Sequence, residues 1–375
     1  MENIIKKKIK LIYKKFVISF FLKIYPKPSI KNIKDQSFHL SNIRIDNKSY
    51  QIFELQEGRV FTNKNDIVAY ISKKNILTKA SLQFKKYDSI NSFNQKIKKN
   101  DTLINGTPKF KKKVNGSVLS LLSGGASRDN FTHWFTDVLP RIFLYEQKFD
   151  LKKIDKFFVP SLKFRYQRES LNFLGISDDK IISSEKIKHI EGEKIYATSH
   201  PCHFYPSKVQ KWSLNFLRSK FIKKSKKLKN YQKIFIYRNQ AKLLENGNLK
   251  KYRSFRIIIN EEEIKDYLQS KGYKIIKPEE YSLTDQISIF SNAKCVVGLF
   301  GASMKMLTFC KKNTKIFEIM PQKAGNEFLN ISKKLKLKHF QLKIKPKLKS
   351  FIPQNGLIFC NIKLFEKKLK ILKFL

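Results

Sequence analysis

Apolar residues along this chain change their period several times, and each change marks an element. Over residues 1–25, Ile4, Ile5, Ile9, Ile12, Phe16, Phe20 and Ile24 recur at helical spacing among lysines, which predicts a basic amphipathic helix. Such a helix either lies in a membrane interface or packs on the protein's own core. From Pro26 to about Lys113 the pattern is mixed, with strand-like pieces at 50–55, 60–62 and 67–71 and no catalytic constellation. A strand follows at 118–122, then a flexible small-residue loop at 123–127. Trp134, Phe135, Val138, Leu139, Ile142 and Phe143 keep the rhythm of a buried helix face. Pro140 kinks that helix or starts a new segment.

Strand patterns recur at 156–160, 181–182 and 195–197, and helical ones at 164–174 and 209–220. The basic stretch 223–230 reads as a linker, dividing the chain into a segment 1–25 and domains at 26–222 and 223–375. The second domain alternates cleanly: strand 234–237, helix 261–271, strand 273–276, helix 284–292, strand 295–297. A short helix at 304–309, a strand at 315–320, a basic strand-like run within 335–349 and an amphipathic helix at 363–375 complete it. That order implies parallel strands joined by crossover helices, an α/β fold.

Within this alternation, 294–321 carries candidate chemistry. Cys295-Val296-Val297 is apolar on both faces and so a buried strand. Gly298, Gly301, Ala302 and Ser303 then let a backbone turn tightly and come close to a ligand. A strand end, a small-residue turn and a helix start together offer N–H groups to a phosphate, although any tight βα connection looks the same. Glu318, near the end of the next strand, suits the hydroxyls of a ribose. In the first domain His133, Asp137 and Arg141 fall at i, i+4 and i+8 and share one helix side. They form either a solvated face or an acid/base site beside the small-residue loop. The loop SHPCHFYPS holds His200, Cys202 and His203, too few ligands at fitting spacing for zinc. No Asp-x-Asp motif occurs, so neither a metal nor a cofactor is expected.

Composition narrows the partners. At 375 residues and 41% hydrophobic, with 32 Phe and 15 Tyr, the chain is long and apolar enough for two folded domains. A net charge of +48 attracts polyanions: nucleic acid, an anionic bilayer or acidic glycans. Yet 68 of the 78 basic residues are Lys, whereas nucleic-acid readers lean on Arg. Lys, Ile, Asn and Phe abundant along the whole length fit a bias towards A/T-rich codons, which makes nucleic acid the weaker expectation and leaves an anionic membrane surface open. Cys202, Cys295, Cys310 and Cys360 are far apart, without a CxxC pair or an export signal. They read as reduced thiols of a cytoplasmic protein, peripheral at the inner membrane face if the first helix docks there. No apolar run approaches the length of a bilayer span.

Three pieces in order resemble glycosyltransferase family 61, whose bacterial members work in capsular and surface polysaccharide assembly. NFTHWFTDVLPRIF resembles the family's N-[YF]-x-H-W-x-x-D-x-L-P-R. IFIYRN followed by RIIINEEEI resembles its Y-I-S-R and R-x-x-x-N-E, and 294–321 its V-G-x-H-G-A-G-L…P-x-x-x-V-I-E-I. The resemblance covers roughly residues 120–325 and rests on motif order and spacing together. It implies a GT-B-like fold, two Rossmann-like domains facing a cleft, with the acceptor side at 26–222 and the sugar nucleotide held by 223–375. It further implies an inverting, metal-independent transfer from a nucleoside diphosphate sugar to a glycan or lipid-linked glycan. His133 or Asp137 would be the base; Arg141, Arg238, Arg256, Asn260, Glu261, Gly298, Gly301, Ala302, Ser303, Lys305 and Glu318 would bind the donor. Asn260 also reads simply as a helix cap. The chain departs from the pattern at Phe300, where the family has His, at Ser303, and at Lys305-Met306. Lys305 could partly replace the lost donor. An inactive relative of the family and a polyanion-binding protein are the alternative readings.

Overall fold

The strand-like pieces at 50–55 and 60–62 join in one long strand that becomes the spine of the first sheet. A computed structural model describes residues 2–30, 38–63, 68–81, 101–123, 128–202, 209–228, 230–240, 243, 255–350, 352 and 354–375. Gly124, Gly125, Ala126 and Ser127 of the small-residue loop, and His203, lie outside the described residues. The chain forms two compact units, Met1–Ser213 and Leu214–Leu375.

In the first unit, β1 (Phe38–Ile45) and β2 (Lys48–Thr62) pair as a hairpin with Ile45 opposite Lys48. The two turn residues, Asp46 and Asn47, take φ 49° and 59°, the left-handed pair that a two-residue hairpin requires. Next come β3 (Val68–Ser72), β4 (Asn75–Ile76), β5 (Lys112–Ser120), β6 (Lys156–Val159), β7 (Ile181–Ser183) and β8 (His189–Thr198). Sheet order is β4-β3-β2-β8-β5-β6-β7, with β1 on β2. The β1–β4 part and its junction with β8 are antiparallel, while β8, β5, β6 and β7 run parallel. The expectation of a Rossmann-like first domain is therefore met only by its parallel half. The strand-like pieces at 50–55, 60–62 and 67–71 fall on β2 and β3, but the mixed pattern of 26–113 does not show how those strands pair. Phe53, Leu55, Val60, Tyr70, Val118, Phe158, Ile190 and Ile195 fill the core on one face.

Helix α1 (Glu2–Ile24) is fastened to this unit by its last turn. Phe21 is buried, 4.8 Å ring to ring from Phe110 and stacked 6.2 Å from Tyr25. Tyr25 in turn meets His189 edge-on at 5.4 Å. Helices α2 (Pro140–Glu146) and α3 (Arg165–Phe173) follow, and α4 (Lys211–Phe221) begins at the end of this unit and runs into the next.

In the second unit, β9 (Lys233–Ile236), β11 (Lys274–Ile276), β12 (Cys295–Leu299), β13 (Lys315–Pro321) and β14 (Lys338–Ile344) form a five-stranded sheet in the order β11-β9-β12-β13-β14. Every pairing in it is parallel, as the alternation of strands and helices predicts. Helices α5 (Glu261–Ser270), α6 (Leu283–Asn292), α7 (Glu327–Leu335) and α8 (Ile362–Ile371) accompany it. The Ser282 hydroxyl caps α6 and the Asn361 side chain caps α8. β10 (Arg256–Ile258) joins a separate small sheet with β15 (Leu348–Lys349) and β16 (Gly356–Ile358). Phe235, Val297, Phe317, Leu268, Phe365 and Phe374 belong to one core. Among the described residues, no helix is long and apolar enough to cross a membrane.

His189 links packing to pH. It is fully buried, its Nδ1 donates to the Lys109 carbonyl at 2.9 Å, and Arg59 and Lys111 lie near. Burial pushes its pKa from 6.5 down to about 4. An unfolded chain therefore binds this proton first, and stability falls as pH drops from about 6.5 towards 4. The loss should approach roughly 3 kcal/mol from this one group. Urea unfolding at pH 7 and pH 4.5 checks it: His189→Gln should flatten the difference, and an unchanged slope would assign the effect elsewhere.

Candidate active site

Two clusters of polar residues stand out, one in each unit. The first grows from a local irregularity. Asn130 opens the helical run by accepting hydrogen bonds from the backbone N–H groups of Thr132 and His133, at 2.9 and 3.3 Å. Pro140 has no N–H to give to the preceding turn. The ladder widens to a π-turn over Trp134–Val138, closed by Leu139 N–H donating to the Trp134 carbonyl at 3.1 Å. Single π-turns of this kind sit often at functional sites.

His133 and Asp137 meet across that turn, Nδ1 to Oδ2 at 2.7 Å. Asp137 is wholly buried and His133 keeps a quarter of its side chain exposed. His200 brings Nε2 to 3.7 Å from the same carboxylate oxygen. The backbone N–H of Cys202 donates to His200 Nδ1 at 3.1 Å, which leaves the His200 proton on Nε2, facing Asp137. Burial works to raise the Asp137 pKa, but the two imidazoles outweigh it and hold the carboxyl well below its usual range. Burial lowers the His200 pKa, against the pull of Asp137. An ionised aspartate thus orients two rings. With Nδ1–H of His133 held by Asp137, its Nε2 is the basic atom.

Arg141 shares the stripe but is not exposed. Its Nε donates to the Asp137 carbonyl at 2.9 Å, and its Nη1 to the Thr198 carbonyl at 2.8 Å. These bonds tie the helical segment to the end of β8. Asp137, His200 and Cys202 are also the described residues whose donor atoms group closely enough, within 4.8 Å, to suggest a metal. The fit is poor. Cys202 N–H occupies His200 Nδ1, so an ion at Nε2 would have to displace the proton there and leave the ring without any. Arg141 adds a buried positive charge beside the thiol.

The second cluster lies where β12 ends. Gly301 is extended, and a Cβ there would come within 3.2 Å of Arg238 Nη1 and 3.4 Å of Arg256 Nη1. Two guanidinium groups therefore converge on Gly301, where any side chain would crowd them. Burial first, then Arg238, lowers the Arg256 pKa to about 10, so it stays cationic at neutral pH. Arg256 is fixed by the protein: Nε donates to the Gln354 carbonyl at 2.6 Å, Nη2 to Asn355 Oδ1 at 3.0 Å, and Nη1 to the Phe300 carbonyl. Its guanidinium carbon also lies 4.6 Å above the Phe300 ring, a cation–π contact. Ala302 is exposed and Ser303 half-buried, whereas Gly298 and Gly301 are buried. The helix they start is a 3-10 helix, Ala302–Phe309, with Lys305 buried inside it.

Other expected donor-site residues hold the scaffold. Asn260 does not cap α5 with its side chain; it clamps Cys360, accepting its N–H at 3.0 Å and donating to its carbonyl at 2.8 Å. Glu261 accepts the Arg238 backbone N–H at 3.1 Å. Gly298 makes room for Ile236 and the Met304 sulfur. Glu318 is fully buried, its Oε2 bound by His339 at 3.1 Å and Gln341 at 2.9 Å on β14. These bonds hold its carboxylate against β14, and it lies near enough to Arg256 to favour that cation.

The sequence profile of the family described as Glycosyltransferase 61 matches residues 131–317, from just before His133 to just before Glu318. The chain belongs to glycosyltransferase family 61. Both clusters fall inside the matched span. No curated protein matches it. Among solved structures it is similar to the bacterial iron-containing dodecameric glycosyltransferase TibC from enterotoxigenic E. coli H10407, at 9% identity, TM-score 0.28, covering 80% of this chain and 82% of that one. It is similar too to dodecameric iron-containing heptosyltransferase TibC in complex with ADP-D-beta-D-heptose, at 10% identity, TM-score 0.27 and 80% and 82% coverage. At such TM-scores the likeness is a similarity and nothing more.

For this family 61 chain, Phe300 is best tested through its contact with Arg256. A double-mutant cycle of Phe300→Leu and Arg256→Gln, read by urea unfolding, should give a coupling of about 0.5–2 kcal/mol. Coupling near zero would leave Phe300 as packing against Phe328 alone.

Proposed function

We propose that this glycosyltransferase moves a sugar from a nucleoside diphosphate sugar to a hydroxyl of a surface polysaccharide or lipid-linked glycan, with inversion and without a metal. The observation that carries this reading is the convergence of Arg238 and Arg256 on Gly301. Two fixed guanidiniums beside a glycine suit a diphosphate, whose oxygens accept from both. The backbone N–H groups of the 301–303 turn add donors that need no reorganisation as charge develops. The GT-B organisation implied by the family resemblance belongs to the same proposal.

In the reaction, the acceptor oxygen attacks the anomeric carbon while the bond from that carbon to the diphosphate oxygen breaks. His133 Nε2 takes the hydroxyl proton. Asp137 stabilises the imidazolium that results, and its hydrogen bond keeps the correct nitrogen facing the acceptor. His200 and Arg141 are positioning residues: they hold the Asp137 carboxylate and its helix in place. The leaving diphosphate carries its charge to Arg238 and Arg256. Attack from the side opposite the leaving group gives inversion. The donor sugar, its base and the linkage are left to the experiment.

Thermal stabilisation by a panel of nucleoside diphosphate sugars, followed by turnover with the best one, tests this. A donor at about 100 times its dissociation constant should add roughly 2.7 kcal/mol. Arg256→Ala should abolish that gain. His133→Ala should keep it while lowering kcat by about 10²–10⁴, and a chelator should change neither. Undiminished donor binding by Arg256→Ala would remove the assigned site. Turnover lost to chelator and restored by a divalent ion would end the metal-free mechanism. No turnover by the intact chain with any bound donor would favour the inactive relative.

A further inference from the structure

Helix α1 presents a face that its own unit does not cover. At 100° per residue, Ile5, Ile9, Ile12, Tyr13, Phe16, Phe20 and Ile24 line one stripe about 120° wide along a helix roughly 35 Å long. All seven are between 43% and 68% exposed. The packed side is different and confined to the last turns. There Phe21 is buried against Phe110, and Leu22 fills the space over Gly106, where a Cβ would come within 2.7 Å of its Cδ2. The helix is thus held at its C-terminal end with its apolar stripe turned outward.

Charge decides what covers the stripe. Lys6, Lys7, Lys8, Lys10, Lys14, Lys15 and Lys23 are all exposed, and Glu2 is the helix's one acidic residue. Lys8 and Lys15 border one edge of the stripe, Lys6 and Lys10 the other. Lys23 lies within it at the anchored end, where a long stem lets the ammonium reach back to water. Two copies meeting face to face would bring two such lysine sets together. An anionic bilayer instead accepts the apolar stripe among its acyl chains and neutralises the lysines with its headgroups. We infer that α1 docks this protein on an anionic lipid surface, lying in the interface without crossing it. The inference stands apart from the sugar-transfer reading; a chain that docks and transfers nothing leaves it intact.

Flotation of the full chain with vesicles of phosphatidylcholine, alone or with roughly one third phosphatidylglycerol, at about 0.15 M salt, tests it. Anionic vesicles should bind at least about tenfold more tightly than neutral ones. Ile9→Ser with Phe16→Ser alters two side chains that are 61% and 68% exposed. The melting temperature should hold while anionic binding drops by about a hundredfold. Lys8→Gln with Lys10→Gln and Lys15→Gln should lower it as well, by about fivefold per lysine. Unchanged binding by the Ile9→Ser, Phe16→Ser variant would mean that bulk positive charge binds the vesicles, and would overturn the proposal. So would absence of binding together with a dimer in size-exclusion chromatography that the same variant breaks, since the stripe would then be covered by a second copy.

Discussion

Charges taken out of water have to be met, and both clusters in this chain are answers to that requirement. In the second unit Arg238 and Arg256 lie close enough that each Nη1 would touch a Cβ on the same glycine. Burial and mutual repulsion both disfavour the Arg256 cation, while Glu327 and Glu318 only partly oppose them. Carbonyls, an amide and an aromatic face hold Arg256 in place without cancelling its charge. Such an arrangement is stabilised most by an anion at the glycine. In the first unit the sign is reversed. Asp137 is the buried charge, and His133 and His200 meet it from two sides.

The sequence shows the parts of this that are local. Helical spacing puts His133, Asp137 and Arg141 on one stripe, and the structure joins all three. Alternation of strands and helices predicts the parallel sheet of the second unit. What sequence spacing does not show is contact between distant segments. His200 reads as one member of a weak metal loop because nothing in its neighbourhood points to Asp137. β10 escapes notice because its three residues pair with β16, about a hundred positions later. The pairing of the antiparallel half of the first sheet is hidden for another reason: β3 and β4 are short, and β2 is buried on both faces over much of its length.

Residues assigned to the donor by motif divide in two once their contacts are known. Arg238, Arg256, Gly301, Ala302 and Ser303 stay at the turn. Asn260 clamps Cys360, Gly298 admits Ile236 and Met304, and Glu318 bonds across to β14. Arg141 does the same in the first unit, by joining the helical segment to β8. A motif records spacing, and spacing is set as much by the chain that must reach the site as by the ligand in it.

Phe300 shows how the turn accommodates a change of chemistry. A histidine there would present an N–H; a phenyl ring presents a face. Its carbonyl still receives Arg256 Nη1, its N–H still donates to Ile319 at 2.8 Å, and its ring is braced edge-on by Phe328 at 5.2 Å. The backbone of the turn and the phenyl ring therefore both contact the Arg256 guanidinium. A ring locked on both sides restricts that guanidinium to one plane, and a restricted donor loses less entropy when it binds. Phe300 thus contributes order where a histidine would contribute a polar donor, and the cations nearest Gly301 that the geometry brings together are Arg238 and Arg256.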